Sequence, residues 1–444
     1  MSAPQPTGTP PHRLTLREIS WFFFPLLLNV QMMSISHSLI NAGLARVADA
    51  ITALAAFSVA MVLHIFVASP SYQNHIITIA MVRGRRSLRG TALFIALMAA
   101  VIATLIALLA FTPVGTFVLF RLLGVSPEVA DGARTALAIL VPLPFITGLR
   151  GFSQGLVSQT RRTSLISLAT GVRIAALLLF LWLGHGWLNG SSLGAAALLG
   201  CVAVETALIT GFAWRSCQIP AAGEQERDFA GIVRFALPLV TSSGLQQAVP
   251  LIISAIISRL PDGTLALAAF GVIRGFIFLP AGPMRNMQQA YLSLARQSED
   301  FLLMTRFGRR VSLTLAALTL AVAGPLNTPV LGGLMGLDAA MRNYIAWPLA
   351  ACAIYPWLIS ASHLLRGWFA EAHLTPLLGR ATLYKVLLML ACWPPLVLLP
   401  LPVSGTALAI ALLIIAEAAE TWYLHRRRRQ LVSAPALPAV TPLR

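Results

Sequence analysis

The sequence predicts an all-α polytopic membrane protein of about 12 transmembrane helices arranged as two parallel six-helix repeats. Three observations carry that reading. Of 444 residues, 57% are hydrophobic and 11% charged, with a mean hydropathy of +0.79, where a soluble domain carries roughly a quarter charged residues. Apolar stretches of about 20 residues, enough to cross a bilayer as a helix, recur along the chain. Scarce polar residues repeat at a near-constant spacing between its two halves.

The apolar stretches, numbered here as spans 1 to 12, cover residues 18–44, 51–81, 91–113, 129–158, 164–186, 191–215, 230–257, 265–295, 309–327, 339–370, 375–399 and 403–425. They are separated by short loops rich in Arg, Gly or Pro. The organisation expected is a cytoplasmic tail (1–16), a six-helix bundle (17–217), a cytoplasmic linker (218–229), a second bundle (230–425) and a second tail (426–444). The Pro-rich opening has no periodic apolar face and is expected to be disordered. No small-residue cleavage site follows the first apolar stretch, so it is expected to remain as span 1. Cys201, Cys217, Cys352 and Cys392 are too widely spaced to suggest a disulfide framework or a zinc site.

The net charge is +17, from 32 basic and 15 acidic residues. In a soluble protein that balance suggests nucleic acid, so position along the chain decides its meaning. Arg83, Arg85, Arg86 and Arg89 follow span 2, Arg161 and Arg162 follow span 4, and Arg296, Arg306, Arg309 and Arg310 follow span 8. The run His425-Arg426-Arg427-Arg428-Arg429 closes span 12. All these lie on one side, and the opposite loops hold isolated charges such as Arg46, Asp49, Arg121, Arg259 and Asp262. The positive-inside rule then puts both termini in the cytoplasm, and a nucleic-acid partner is not needed. The setting expected is a bacterial cytoplasmic membrane.

The connection from Arg215 to Asp228 divides the chain into six spans on each side, which invites a repeat test. At an offset of 213, Pro25 falls on Pro238, Arg46 on Arg259, Asp49 on Asp262, Pro70 on Pro283, and Leu54-Ala55-Ala56-Phe57 on Leu267-Ala268-Ala269-Phe270. Farther on, Leu149-Arg150-Gly151 falls on Leu365-Arg366-Gly367 at 216, and Arg173 on Lys385 and Glu205 on Glu417 at 212. Six is even, so both halves enter the membrane from the same side. Parallel repeats about an axis along the membrane normal are an architecture of secondary transporters, with the binding site between the halves.

Ionisable residues inside spans are costly and mark function or structural pairing. Arg173 in span 5 and Glu205 in span 6 sit at similar depths, as do Lys385 and Glu417 in spans 11 and 12; at 1.5 Å per residue each set reads as an ion pair. The competing reading makes Glu205 or Glu417 a coupling group, and His37 and His64 are open to the same reading. Arg150 and Arg366 have no obvious carboxylate at their depth, which leaves snorkelling to the interface or anion binding. Arg274 and Arg285 in span 8 fall opposite Met61 and Tyr72 in the repeat, and a charge present in one half only suggests use. Span 1 carries Gln31, Ser34, His37, Ser38 and Asn41 within an arc of about 120°. Span 7 carries Ser243, Gln246, Gln247 and Ser254, and span 2 carries His64, Ser71 and His75 on one face. These stripes serve either as interhelical glue or as the wall of a hydrated cleft. Pro25, Pro70, Pro238 and Pro283 are the expected points of helix bending.

Gly336-Leu337-Asp338-Ala339-Ala340, Pro348-Leu349, Pro356 and Leu365-Arg366-Gly367-Trp368 resemble the corresponding helix of the progressive ankylosis protein family. Pro25-Leu26, Leu39-Ile40-Asn41-Ala42-Gly43-Leu44-Ala45, Ser69-Pro70 and Pro144-Phe145 are similar in the same way. The resemblance implies a V-shaped pair of bundles like those of the multidrug-and-toxin extruders and lipid-linked flippases, and export of anions such as citrate, pyrophosphate or nucleotides. It also leaves a multidrug cation antiporter and a lipid-linked oligosaccharide flippase as alternatives. The major facilitators share the six-plus-six plan, but their loop signature is matched only loosely by Arg306-Phe307-Gly308-Arg309-Arg310, where Thr305 takes the Asp position.

Apart from Glu18 at the very start of span 1, spans 1, 2, 7 and 8 hold no Asp or Glu. Arginines without acids in a low-dielectric cleft attract anions, and the guanidinium fork suits carboxylate and phosphate. The sequence therefore points to a small anionic substrate bound by Arg274, Arg285, Arg150 and Arg366, and oriented by Gln31, Asn41, Gln246 and Gln247. A coupling proton or sodium is left open, as is the oligomeric state. No enzyme signature, cofactor motif or metal cluster is expected.

Overall fold

The computed structural model describes residues 14–160, 163–188, 190–217, 226–295, 297, 299–372, 374–398 and 403–433. The expected N-terminal tail up to residue 13, Arg161, Arg162, linker residues 218–225, Arg296 and the tail from residue 434 lie outside the described residues, as do the side chains of Pro25, Gln31, Ser34 and Pro238.

Among the described residues, nine helices are long and apolar enough to cross a membrane, or up to eleven if each of two bent pairs counts as one span. Span 1, the 29-residue helix Leu16–Leu44, stands beside these. Its start is fixed by chemistry: the Thr15 hydroxyl accepts the Glu18 amide at 3.3 Å, and the Glu18 carboxylate accepts the Thr15 amide at 2.9 Å. Span 7, Phe229–Ile257, starts under the Asp228 carboxylate, which accepts the Gly231 amide at 2.9 Å. Asp338, part of the family-like stretch, caps span 10 in the same manner, accepting the Met341 amide at 2.8 Å.

Several spans are broken where the sequence places proline. Span 2 runs Ala50–Met81 with a 3-10 turn, Ser69–Gln73, around Pro70; span 8 continues from Gly263–Ala281 through the matching turn Pro283–Asn286 into Met287–Leu294. In span 4, Pro127–Leu140 and Leu143–Gln159 meet at 46°, beside Pro142 and Pro144. Proline removes a backbone donor and crowds the preceding turn, so such breaks belong there.

The lipid-facing surface is apolar. Span 3, Arg85–Phe111, exposes Leu93, Leu97, Val101, Leu105 and Leu108 at three- and four-residue spacing while burying Ile95, Ala99, Ile102 and Ile106 on the other face. Trp182, Trp187 and Trp347 are exposed by 74–89%. A soluble fold does not present such a surface; a bilayer covers the leucines and its interfaces accept the tryptophans.

The two halves pack alike. Span 1 lies against spans 5 and 6, and span 7 against spans 11 and 12. The halves meet through spans 1, 2, 7 and 8, chiefly span 2 on span 8. Small residues permit this approach: a Cβ on Gly275 would stand 2.5 Å from Asn41 Nδ2, and one on Gly271 2.7 Å from Ser58 Cβ.

Three sequence expectations shift. The helix of span 9 begins at Asp300 rather than 309, so Arg306, Arg309 and Arg310 ride its first turns instead of a loop. Span 12 extends as helix to Ser433, so the run from His425 to Arg429 is helical rather than tail. Two short π-helical segments, Phe117–Leu123 and Asn327–Leu334, follow spans 3 and 9 at repeat-related places. They are too short for a bilayer-length window to register.

Candidate functional site

A cavity of about 400 Å³ lies between the halves. Spans 2 and 8 enter its wall through the stretches around their proline turns. Span 7 contributes Gln246 and Gln247, and span 1 contributes His37. Six basic side chains line it: Arg150, Arg173, Arg274, Arg285, Arg366 and Lys385.

Four of these six are engaged by carboxylates, in two clusters of the same design. In the first half, Glu205 is buried to 1% exposure and accepts Arg150 Nη1 at 2.9 Å and Arg173 Nη1 at 3.5 Å. Its other oxygen accepts the Thr170 hydroxyl at 3.2 Å. In the second half, Glu420 is equally buried and pairs with both Arg366 and Lys385; Lys385 also reaches Glu417 at 2.9 Å, and Arg366 reaches the Thr382 hydroxyl at 3.2 Å. Each cluster joins the fourth, fifth and sixth helices of its bundle. A carboxylate without these partners would be an uncompensated charge in a dry interior, so each cluster holds only as a unit.

The sequence expectation that Arg150 and Arg366 lack a carboxylate is therefore corrected. Arg150 shares Glu205, already assigned to Arg173, and Arg366 uses Glu420, which the repeat alignment passed over. Constant offset selected Glu417 as the counterpart of Glu205, but the pairing geometry selects Glu420, three residues and nearly one helical turn farther on.

Arg274 and Arg285 differ from the other four. Among the described residues neither has a carboxylate within ion-pair distance. Each guanidinium instead lies over an aromatic ring of its own span, Arg274 over Phe270 at 5.6 Å and Arg285 over Phe278 at 5.4 Å. Six basic groups against Glu205, Glu417 and Glu420 leave three positive charges at the cavity, two of them on these arginines.

The polar stripes divide between the two roles considered for them. Asn41 is 6% exposed and donates to the Gly271 carbonyl at 3.2 Å, while Ser38 donates to the Gly275 carbonyl at 3.2 Å. Both hold span 1 to span 8, so Asn41 is spent on the seam rather than presented to the main cavity. Gln73 donates to the Ser243 hydroxyl across the halves at 2.6 Å. Gln246 and Gln247 do line the cavity, Gln246 with an exposed side chain. His37 lines it too, stacked on Phe278 at 5.7 Å, and so does His64, whose Nδ1 is buried without a hydrogen-bond partner among the described residues. Gln31 lies outside the described side chains.

His363 and Tyr355 also reach the cavity wall, and neither stood out in the sequence. His363 lies three residues before Arg366, so helical spacing from an already chosen arginine was the signal that could have found it.

Fold and cavity together define a two-bundle membrane protein of the multidrug-and-toxin-extruder (MATE) transporter fold. The chain is similar to an inward-facing multidrug resistance MATE family transporter of the MOP superfamily, with a TM-score of 0.64 at 14% identity over 93% of this chain and 96% of that one. It is similar to the lipid II flippase MurJ in an inward closed conformation, with a TM-score of 0.63 at 15% identity over 93% and 87% of the two chains. The MATE multidrug transporter DinF-BH gives 0.61 at 14% identity over 94% and 96%. More particularly, residues 15–189 match the family model described as Progressive ankylosis protein (ANKH). That match takes in the first-half stretches on which the sequence resemblance was read, while those of span 10 lie beyond it. No curated protein matches the chain.

Proposed function

We propose that the protein is an alternating-access exporter of small organic or phosphate-bearing anions, of the citrate, pyrophosphate or nucleotide kind, in the cytoplasmic membrane of a bacterium with both termini inside. The observation that carries this reading is the pair Arg274 and Arg285, unneutralised in a cavity between the halves that keeps three positive charges. In a poorly screened site such a field attracts anions and repels organic cations. Guanidinium groups bind carboxylate or phosphate in bidentate fashion, and the aromatic rings beneath them leave their outer N–H donors for a ligand. Gln246 and Gln247 would add neutral donors that orient it.

Transport on this reading is a rocking of one bundle against the other, with the turns at Pro70 and Pro283 absorbing the bend. Spans 1 and 7 run as continuous helices past positions 25 and 238, so Pro25 and Pro238 would contribute only by bending within a helix. His37 and His64 are uncommitted titratable groups at the cavity for a coupling proton, as is His363; Glu205 is held by two arginines and serves better as architecture, while Glu417 keeps a single partner and stays in play. No catalytic role is assigned to any residue.

Reconstituted vesicles loaded with radiolabelled citrate, pyrophosphate or ATP test the reading against an organic cation such as ethidium. Anion flux is expected, falling at least about tenfold in Arg274→Ala and Arg285→Ala, the loss of one charge-assisted contact each. Flux of the cation alone would favour a multidrug antiporter, and flux of a lipid-linked saccharide would favour a flippase.

A further inference from the structure

Arg46 and Arg259 are related by the repeat and stand just beyond the ends of spans 1 and 7. Each reaches across to the other half. Arg46 Nη2 donates to the carbonyls of Leu334 at 2.8 Å and Gly333 at 3.2 Å, while its Nη1 holds the Ala42 carbonyl of its own helix at 2.6 Å. Arg259 repeats this arrangement. Its Nη2 donates to the carbonyls of Arg121, at 2.6 Å, and Leu122, and its Nη1 donates to Leu123 at 3.1 Å and to Ala255 of its own helix. Ala42 and Ala255 are themselves repeat mates.

The acceptors are the last carbonyls of the two π-helical segments, Asn327–Leu334 and Phe117–Leu123. Carbonyls at a helix end lack intrahelical partners and carry the negative end of the dipole, so a guanidinium fork suits them. Beyond each segment the chain turns through a left-handed glycine, Gly124 at φ 69° and Gly336 at φ 74°. A side chain there would be strained and would also strike the arginine: a Cβ on Gly336 would stand 2.9 Å from Arg46 Cζ, and one on Gly124 2.8 Å from Arg259 Cγ. The glycines thus clear the seats in which the arginines lie.

We infer that Arg46 and Arg259 are paired latches that keep the two bundles closed at the end of the molecule opposite the termini. Both crossings lie at the loops that follow odd-numbered spans, beyond the cavity, and each ties the first helix of one half to the segment after the third helix of the other. The bonds go to backbone carbonyls at a partly exposed seam rather than to buried carboxylates, so water can replace them when the bundles part. The Glu205 and Glu420 clusters, in contrast, lie within single bundles and can persist through the motion. The latch rests on the transport reading only for its purpose; its geometry does not depend on the cargo.

The test is site-directed labelling in a background with the four native cysteines changed to Ser. Gln247→Cys reports the cavity, and a membrane-impermeant maleimide is applied from either face of vesicles of known orientation, with no substrate present. With both arginines intact, labelling from the latch face is expected to be slow. Arg46→Ala with Arg259→Ala should raise it about tenfold, each single variant less, and Arg46→Lys, which keeps charge without the fork, should fall between. If the double variant is poorly folded, the single variants carry the comparison. Labelling from the latch face that is unchanged in all of them overturns the latch even if anions are transported. Faster labelling, with no anion moved by the protein that keeps its native Gln247, leaves the latch standing and removes the proposed function.

Discussion

Glu205 and Glu420 are the residues on which the interior charge depends. Each is 1% exposed and each pairs with two cations. Removing one partner of a buried pair leaves an uncompensated charge at a cost of about 3–5 kcal/mol. Glu205→Gln and Glu420→Gln are therefore expected to lower the unfolding free energy in detergent by amounts of that order. Glu417→Gln should cost much less, because Glu417 is 13% exposed and Lys385 keeps Glu420. Thermal unfolding of the three variants checks the ranking, and equal losses for Glu417 and Glu420 would contradict it. This is also where the sequence was least legible. Arg173, Glu205, Lys385 and Glu417 were visible as rare charges at matching depths, but depth alone gave no rotation about the helix axis. Without that rotation Arg150 and Arg366 looked unpaired, and Glu420 stayed hidden behind a carboxylate one turn away.

At the scale of elements, the long spans could be read because about 20 consecutive apolar residues leave a helix in lipid as the viable backbone. What could not be read were pieces whose chemistry is local: the segments Phe117–Leu123 and Asn327–Leu334, and the early start of span 9 at Asp300, where basic residues ride a helix that the hydropathy pattern ends. The seam between spans 1 and 8 belongs to a third kind, in which Asn41 is polar but occupied. Gly275→Ala tests that seam. Its new methyl group would stand 2.5 Å from Asn41 Nδ2, so Asn41 must move and release the Gly271 carbonyl. Overpacking of this kind costs about 1–3 kcal/mol. Added loss of a bond between the halves predicts a second effect, a change in how readily the bundles separate. Gln247→Cys accessibility in Gly275→Ala is expected to rise along with the fall in stability; a fall in stability alone would make Asn41 a packing group and nothing more.

Over the whole molecule, the repeat and the departures from it have separate meanings. The charge clusters, the proline turns and the arginine crossings occur in both halves; they build the fold and, on the proposed transport reading, would move it. Arg274 and Arg285 occur in one half only, opposite Met61 and Tyr72. Moving a charge between repeat-related positions therefore separates the overall field of the cavity from the local grip on the ligand. In Arg274→Met with Met61→Arg the cavity keeps its three positive charges, since Met61 also lines the wall. Long-range attraction depends on that sum, whereas bidentate contact depends on where the fork sits. Electrostatic complementarity acts mainly on association, and the loss of a close charge contact acts mainly on dissociation. Arg274→Met alone is then expected to slow anion association and to speed its release. The exchanged variant should recover the association rate and its salt dependence while release stays fast, leaving affinity about tenfold below the parent, or about 1.4 kcal/mol. Stopped-flow binding at two ionic strengths separates the rates. Full recovery of both would mean that the field alone selects the anion and that Arg274 has no privileged place; recovery of neither would mean that Arg274 acts by shape and not by charge.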